Sequence, residues 1–346
     1  MARGYTSYRG KRPFWKVVAA VLLILVILLA CGAMALQKYV VYDADGRPRL
    51  ELPQKQQPET PDSSAGTPPS QEDLNLTVEK NDQTPETLRA VQLPEGDLAQ
   101  WSWAEDITPA LESADSNALV VTVKGADGQV CYDSPAAKAL TGQSGVQQLS
   151  AVTERLKGKY TIARLSCFLD PLAAKAEVET MGLKNTGGYV FYDGNNLNWL
   201  DPAKPAAREY LVSLAKECAD AGFQELLLTN VSYPTEGKLN KIDYGETMKN
   251  ENLVQFLTEL KAALAGTDVK LALELPAETV LSGTDPNAGL VLADLAPLVS
   301  RIVVSADAAQ TAALEQAVTA ASADAALTVE TADVSGITGS YLLLRS

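Results

Sequence analysis

The sequence predicts an α/β fold, a (β/α)8 TIM-like barrel with its last helix missing, and three observations carry that expectation. From about residue 87 onward, eight short apolar, strand-like runs alternate with six stretches of helical periodicity, the pattern of a parallel sheet closed by crossover helices. No Gly-x-Gly-x-x-Gly or Gly-x-x-x-x-Gly-Lys-Ser/Thr cradle follows any of those runs, so an open nucleotide-binding sheet has no support. The 346 residues are 46% hydrophobic, enough for one barrel-sized core with appendages.

The chain opens with a basic tail, residues 1–16, which carries Arg3, Arg9, Lys11, Arg12 and Lys16 and no acid. Residues 17–36 are an uninterrupted apolar or small-residue run; at about 1.5 Å per residue it reaches about 30 Å and predicts one transmembrane helix. The basic flank puts the N-terminus in the cytoplasm and all that follows outside the cell membrane. A cleaved signal is the rival reading, because Leu28-Leu29-Ala30-Cys31 resembles a bacterial lipobox, but the run continues past Cys31 to a full span. Residues 37–52 read as a short juxtamembrane segment whose Asp43-Ala44-Asp45-Gly46 makes a turn; the later ligands of a calcium loop are missing. Residues 53–86 are rich in Pro, Ser and Gln without apolar periodicity, which predicts a flexible, disordered tether. Residues 87–346 are the barrel domain.

Within that domain strands are expected over 89–93, 118–124, 160–168, 225–230, 269–275, 301–305, 326–331 and 341–344. Helices are expected over 108–113, 145–156, 206–221, 251–265, 290–298 and 308–321. The chain ends just past the last strand, so residues 74–87 are a candidate to cover the place of the closing helix.

Composition narrows the chemistry. There is no histidine, which removes Ser/His/Asp triads, Cys/His nucleophiles and the commonest metal ligand. Five of the 29 basic residues precede the apolar run, so the rest carries 24 against 43 acids, a balance of −19. A domain that acidic is no nucleic-acid binder, since phosphate contacts need clustered Lys and Arg. Three cysteines beyond the run, Cys131, Cys167 and Cys218, share no short spacing and read as buried free thiols rather than a disulfide framework or metal site. Neither a metal nor a cofactor is expected, and no protein partner can be named.

Barrel chemistry gathers at the C-terminal ends of the strands. The buried run 222–234 ends there in Thr229, Asn230, Val231, Ser232, Tyr233 and Pro234, without an acid. Acids that can stand on that rim are Asp170, Asp193, Glu274, Asp307 and Glu330. Glu274 closes the strand KLALELP, and a carboxylate ending a buried strand needs a partner or a task; it either lines a ligand cleft or is a rim residue bonded to Arg164. Asp170 precedes Pro171, where a turn or helix cap is the plainer reading. Glu225 starts its strand and so belongs near the barrel bottom, where stability is the usual reason. Arg164 and Lys124 sit inside apolar strands and need partners, which predicts Arg164 with Glu274 or Lys124 with Asp170. Trp199, Tyr192 and Tyr233 can stack on sugar rings, with core packing as the commoner fate. Trp101 and Trp103 flank Ser102, so one packs on the barrel and the other is less buried.

Four motifs in order, residues 117–134 (NALVVTVKGADGQVCYDS), 160–171 (YTIARLSCFLDP), 198–202 (NWLDP) and 222–234 (GFQELLLTNVSYP), resemble the putative glycosyl hydrolase domain family of bacterial, often membrane-anchored barrels. The resemblance covers about residues 89–307. It rests on Lys124 and Gly128, on Arg164, Phe168 and Asp170, on Trp199, Asp201 and Pro202, and on Gly222, Phe223, Glu225 and Pro234. It implies a barrel that acts on glycans. The sequence departs from the pattern where the family has acids: Thr122 and Gly125 in the first motif and Thr229 in the fourth, where the arginine is lost as well.

Glycoside hydrolysis ordinarily needs two carboxyl groups about 5 to 9.5 Å apart, and threonine replaces neither. The resemblance therefore implies a membrane-anchored extracytoplasmic barrel that binds cell-envelope or other carbohydrate with weak or no hydrolysis. Its expected ligand-binding residues are Lys124, Arg164, Trp199, Asn230, Tyr233 and Tyr192. An active glycosidase with relocated acids, Glu274 paired with Asp170, is the alternative. A non-catalytic envelope scaffold or protein-interaction barrel is the third.

Overall fold

The structure, a computed structural model, describes residues 40–42, 48–50 and 84–344. The basic tail, the expected transmembrane run, the Asp43–Gly46 turn and nearly all of the tether lie outside the described residues. Among the described residues no helix is long and apolar enough to cross a membrane. The chain divides into two units, 1–76 and 77–346. In the first, Val40–Tyr42 pairs antiparallel with Pro48–Leu50.

The second unit is a closed parallel barrel. Its strands are β1 (Arg89–Gln92), β2 (Ala118–Lys124), β3 (Tyr160–Ser166), β4 (Glu225–Thr229), β5 (Lys270–Glu274), β6 (Arg301–Ser305), β7 (Ala326–Thr331) and β8 (Tyr341–Leu343). Each pairs with its sequence neighbour and β8 pairs with β1, every ladder parallel. Those are the eight strands the alternating pattern predicts. No helix joins β7 to β8, and only Leu344 is described beyond β8.

The helices are α1 (Thr108–Glu112), α2 (Pro135–Thr141), α3 (Leu149–Arg155), α4 (Pro171–Ala176), α5 (Pro205–Asp220), α6 (Lys249–Ala263), α7 (Ala277–Ser282), α8 (Leu292–Leu295) and α9 (Thr311–Ala321). The two longest show why sequence periodicity finds them. In α5, Ala207, Leu211, Leu214 and Cys218 are fully buried at helical spacing, and in α6 Leu253, Phe256, Leu257 and Leu260 are. At about 1.5–3 kcal/mol for each large side chain, that burial outweighs any end effect.

Three short helices escape the periodicity because they have one turn or two, yet their caps are written locally. Ser134 accepts from the Ala137 N–H ahead of α2, Pro135 opens it and Gly142 closes it at φ +71°. Asp170 accepts from the Ala173 N–H ahead of α4. Helix α7 ends at Gly283, φ +83°. The helix expected over 290–298 is shorter than its apolar content suggests. Leu290–Val291 pairs antiparallel with Thr284–Asp285, and only α8 and a 3-10 turn, Ala296–Leu298, follow.

Alternation along the strands sorts the core into two shells. Ala90, Ala118, Val120, Tyr160, Ile162, Leu227, Ala272, Val303 and Leu342 pack together inside the barrel. The residues between them, among them Val91, Val121, Ala163, Leu226, Leu228, Leu273, Ile302 and Val304, belong to the larger cluster with the helices. Continuing the inner set, with Thr328 on β7, one step toward the C-terminal mouth reaches Gln92, Thr122, Arg164, Thr229, Glu274, Ser305 and Glu330 on β1–β7, and Leu344 after β8. All seven residues from β1–β7 are polar, so the alternation that builds the core also assembles a polar ring.

Candidate functional site

The polar ring is held together across the lumen. Arg164 on β3 donates from Nη2 to Glu274 Oε2 on β5 at 2.5 Å and from Nη1 to Glu330 Oε1 on β7. Since β3 and β7 are opposite in the barrel, the arginine bridges its mouth. Ser305 Oγ donates to Glu330 Oε2 at 2.7 Å, Gln92 Nε2 to Thr122 Oγ1 at 2.9 Å, and Thr122 Oγ1 to Glu95 at 3.3 Å. Burial opposes the Arg164 charge, but Glu274, Glu330 and Glu95 outweigh it and hold its pKa above the ordinary value.

Beside the ring opens a cleft of about 450 Å³ over the ends of β4, β5 and β6. Its floor includes Glu274 and Ser305, and its walls come from the loops after β3, β4 and β5. Burial pushes the Glu274 carboxyl above the usual carboxylate value; Arg164 works against that shift and Glu330 adds to it. Trp199 lines the cleft with its indole fixed, Nε1 donating to Asp193 Oδ2 at 2.9 Å. Asn230, also lining it, adopts the left-handed φ of +52° that Asn tolerates, and its amide donates to Ser166 Oγ at 3.1 Å. Tyr233 reaches the cleft only at its edge: it is 1% exposed, accepts from Asn252 Nδ2 at 2.8 Å and packs edge-on against Tyr244.

Three expected site residues lie elsewhere. Lys124 does not face a ligand, because it is buried with its Nζ 3.1 Å from Asp170 and 2.7 Å from the Ser166 carbonyl. A register shift between Thr122 and Lys124 pairs Lys124 with Leu165, and this one-residue bulge turns the lysine to the outer face. Asp170 is fully buried, bound to Lys124 and capping α4, so it is no partner for Glu274 across a cleft. Tyr192 stands half exposed outside the cleft lining, with Lys175 5.8 Å above its ring.

Both predicted ion pairs form, and the motifs they come from are largely scaffold. Gly128 has φ +85°, and a Cβ there would collide with Asp170 Oδ1, so the first and second motifs meet at Gly128, Lys124 and Asp170. Glu225 is buried at the barrel bottom, where it accepts from Arg301 Nε at 3.0 Å and from Tyr160. Trp101 is buried and Trp103 only partly, with Arg155 3.3 Å above its ring.

A family model described as a putative glycosyl hydrolase domain matches residues 93–306. The chain belongs to that family. The glycoside hydrolase domain of PgaB (BpsB) from Bordetella bronchiseptica aligns with a TM-score of 0.48 and 15% identity over 71% of this chain and 84% of that one. The glycoside hydrolase domain of PelA from Pseudomonas aeruginosa gives 0.39 and 16% over 72% and 84%. A hypothetical protein from Ruminiclostridium thermocellum ATCC 27405 gives 0.41 and 29% over 45% and 82%. No curated protein matches the sequence.

Within this family member, Glu274 and Glu330 share one guanidinium. Each is one hydrogen bond from adjacent nitrogens of one guanidinium, which keeps their nearest oxygens within roughly 7 Å, a separation that glycosidases use. What stands between them is Arg164 rather than open space, and the Glu330 side chain is 4% exposed. Sequence reasoning missed Glu95, Glu236 and Asp285, which lie in loops with no periodicity. Of the inward set it missed Gln92 and Ser305, whose signal is one polar residue near the C-terminal end of an apolar strand.

Proposed function

We propose that this protein is a membrane-tethered, extracytoplasmic barrel that binds cell-envelope or other carbohydrate through the cleft at its C-terminal mouth, with weak or no hydrolysis. The observation that carries the reading is Arg164. It occupies the gap between the two inward carboxylates, while buried Thr122 and Thr229 stand at the acidic motif positions. Family membership and the Trp199 wall support a sugar ligand. The apolar run 17–36 supports the tether.

One observation favours hydrolysis as a second reading: the raised pKa of Glu274, a cleft residue, is what a general acid needs. In that reading Glu330 is its partner and Arg164 swings aside when substrate enters. Calorimetry and reducing-end assays on the detergent-solubilised full chain, with peptidoglycan fragments and α- and β-linked oligosaccharides, separate the two. Binding with at most weak turnover is expected. Robust turnover abolished by Glu274→Gln would overturn the proposal in favour of the hydrolase, and absence of both binding and turnover would overturn it in favour of a scaffold.

A further inference from the structure

We infer that Ser166, a residue outside the cleft lining, is a positioning residue for it: Ser166 clamps the Asn230 amide so that Oδ1 accepts a hydrogen bond from a hydroxyl of the bound sugar. The inference rests on the carbohydrate-binding reading above and adds the atom that reads the sugar and the group that aims it.

The backbone singles Asn230 out. Among the described residues the left-handed conformation falls to glycine at twelve positions, and only Asn196 and Asn230 adopt it with a Cβ, so a costlier residue is kept at these two. Asn196 is held in a turn that Asp193 closes with its carbonyl and its carboxylate. Asn230 instead stands at the open end of β4. There Leu227 faces the lumen and Leu228 the helices, so strict alternation would send residue 230 outward. The left-handed step carries its amide back over the strand ends, where Nδ2 donates to Ser166 Oγ at 3.1 Å and to Thr229 Oγ1 at 3.3 Å.

Ser166 sets which way that amide faces. It is 2% exposed, and its carbonyl accepts from Lys124 Nζ at 2.7 Å, the lysine that also pairs with buried Asp170. Its hydroxyl donates to the Leu169 carbonyl at 3.0 Å. A hydroxyl has one hydrogen, so Ser166 Oγ can only accept from Asn230. Both amide hydrogens are thereby turned to the strand ends and Oδ1 is left over. Among the described residues Oδ1 takes no hydrogen bond, yet it is not one of the buried polar atoms without a partner. It is therefore an acceptor open to the cleft that Asn230 lines. The Lys124–Asp170 pair thus gains a further task, since it holds the strand end that carries the clamp.

Calorimetry on the detergent-solubilised full chain tests this. The probes are α- and β-linked glucose trisaccharides and the β-linked N-acetylglucosamine trisaccharide; the tightest binder is then compared with its monodeoxy analogues, each lacking one hydroxyl. At one position, loss of the hydroxyl should weaken binding to the wild type about two- to tenfold, the worth of one neutral hydrogen bond. Asn230→Gly should show that loss with the parent sugar and no further loss with that analogue. Glycine takes φ +52° freely, so the variant keeps its fold. Asn230→Asp keeps an oxygen toward the cleft, with the Ser166 hydroxyl turned to donate to its other oxygen, and should bind the parent within about twofold of the wild type. Ser166→Ala should weaken the parent about two- to tenfold as well, and the double variant with Asn230→Gly should be no weaker than Asn230→Gly alone.

Undiminished affinity of Asn230→Gly for the parent sugar overturns the inference. So does a loss it shows equally against every monodeoxy analogue, the mark of a distorted cleft, and so does a Ser166→Ala loss that multiplies with that of Asn230→Gly. In those cases the wild type still binds sugar and the carbohydrate reading stands. Binding of none of the probes by the wild type overturns both.

Discussion

Arg164→Met tests the bridge across the barrel mouth. Methionine keeps much of the apolar stem and removes the guanidinium, leaving Glu330 with the Ser305 hydroxyl alone and Glu274 without its ion-pair partner. Removing one member of a buried ion pair costs about 3–5 kcal/mol. The low end applies here, about 3 kcal/mol, because the Glu274 side chain is 30% exposed and Glu330 keeps one hydrogen bond. At about 2–4 °C per kcal/mol for a domain of this size, the melting temperature should fall by about 6–12 °C. The loss should also depend on pH. Glu274 already titrates above its ordinary value, and Arg164 is the group that restrains the rise, so the variant raises it further. A carboxyl whose folded pKa exceeds its unfolded value contributes stability that is fully present below about pH 4.3 and is lost as pH rises through the folded value. The deficit should therefore be largest at neutral pH and narrow toward about pH 4. Urea unfolding of both proteins across that range is the assay. A deficit below about 1 kcal/mol, or one of equal size at both ends, would refute the reasoning.

Three further outcomes follow from the same packing. Lys124→Met should destabilise the domain by about 3–5 kcal/mol in urea unfolding, because it strands the fully buried Asp170; a loss within experimental error would contradict a structural role for the pair. Gly128→Ala should cost about 1–3 kcal/mol or more, since alanine meets both the positive φ and Asp170, and unchanged stability would mean that the turn has another conformation. Burial pushes the thiols of Cys131, Cys167 and Cys218 up to about 12, so at about pH 8 they should resist alkylation in the folded chain and react together on unfolding. Mass spectrometry reads the sites, and native-state labelling of any of the three would count against the packing.

How legible the molecule was depends on the range of the interaction. Strand positions follow from short apolar runs, and all eight appear where local pattern puts them. The bridge at Arg164 was half visible: a cation within YTIARLS needs a carboxylate, and Glu274 was a sound choice. Glu330, on the opposite strand and 166 residues away, could be assigned only by the closed barrel. The bulge after Thr122 defeated strict alternation, which would have turned Lys124 into the lumen. Asp170 looked like a rim acid because the sequence carries its position at the strand end but not the burial that α4 and Lys124 impose. Glu236 and Asp285 were invisible because loop residues acquire a common cleft only when distant strands bring their ends together.

The sequence by itself determined the strand and helix order, the absence of histidine chemistry and the acidic balance, because composition and periodicity are local properties of the chain. Only the tertiary structure decided which polar residues share the lumen and that Arg164 lies between Glu274 and Glu330. Barrel closure sets those contacts. It joins residues more than a hundred positions apart and chooses, for each buried charge, whether its partner is a cation, a neutral donor or a ligand.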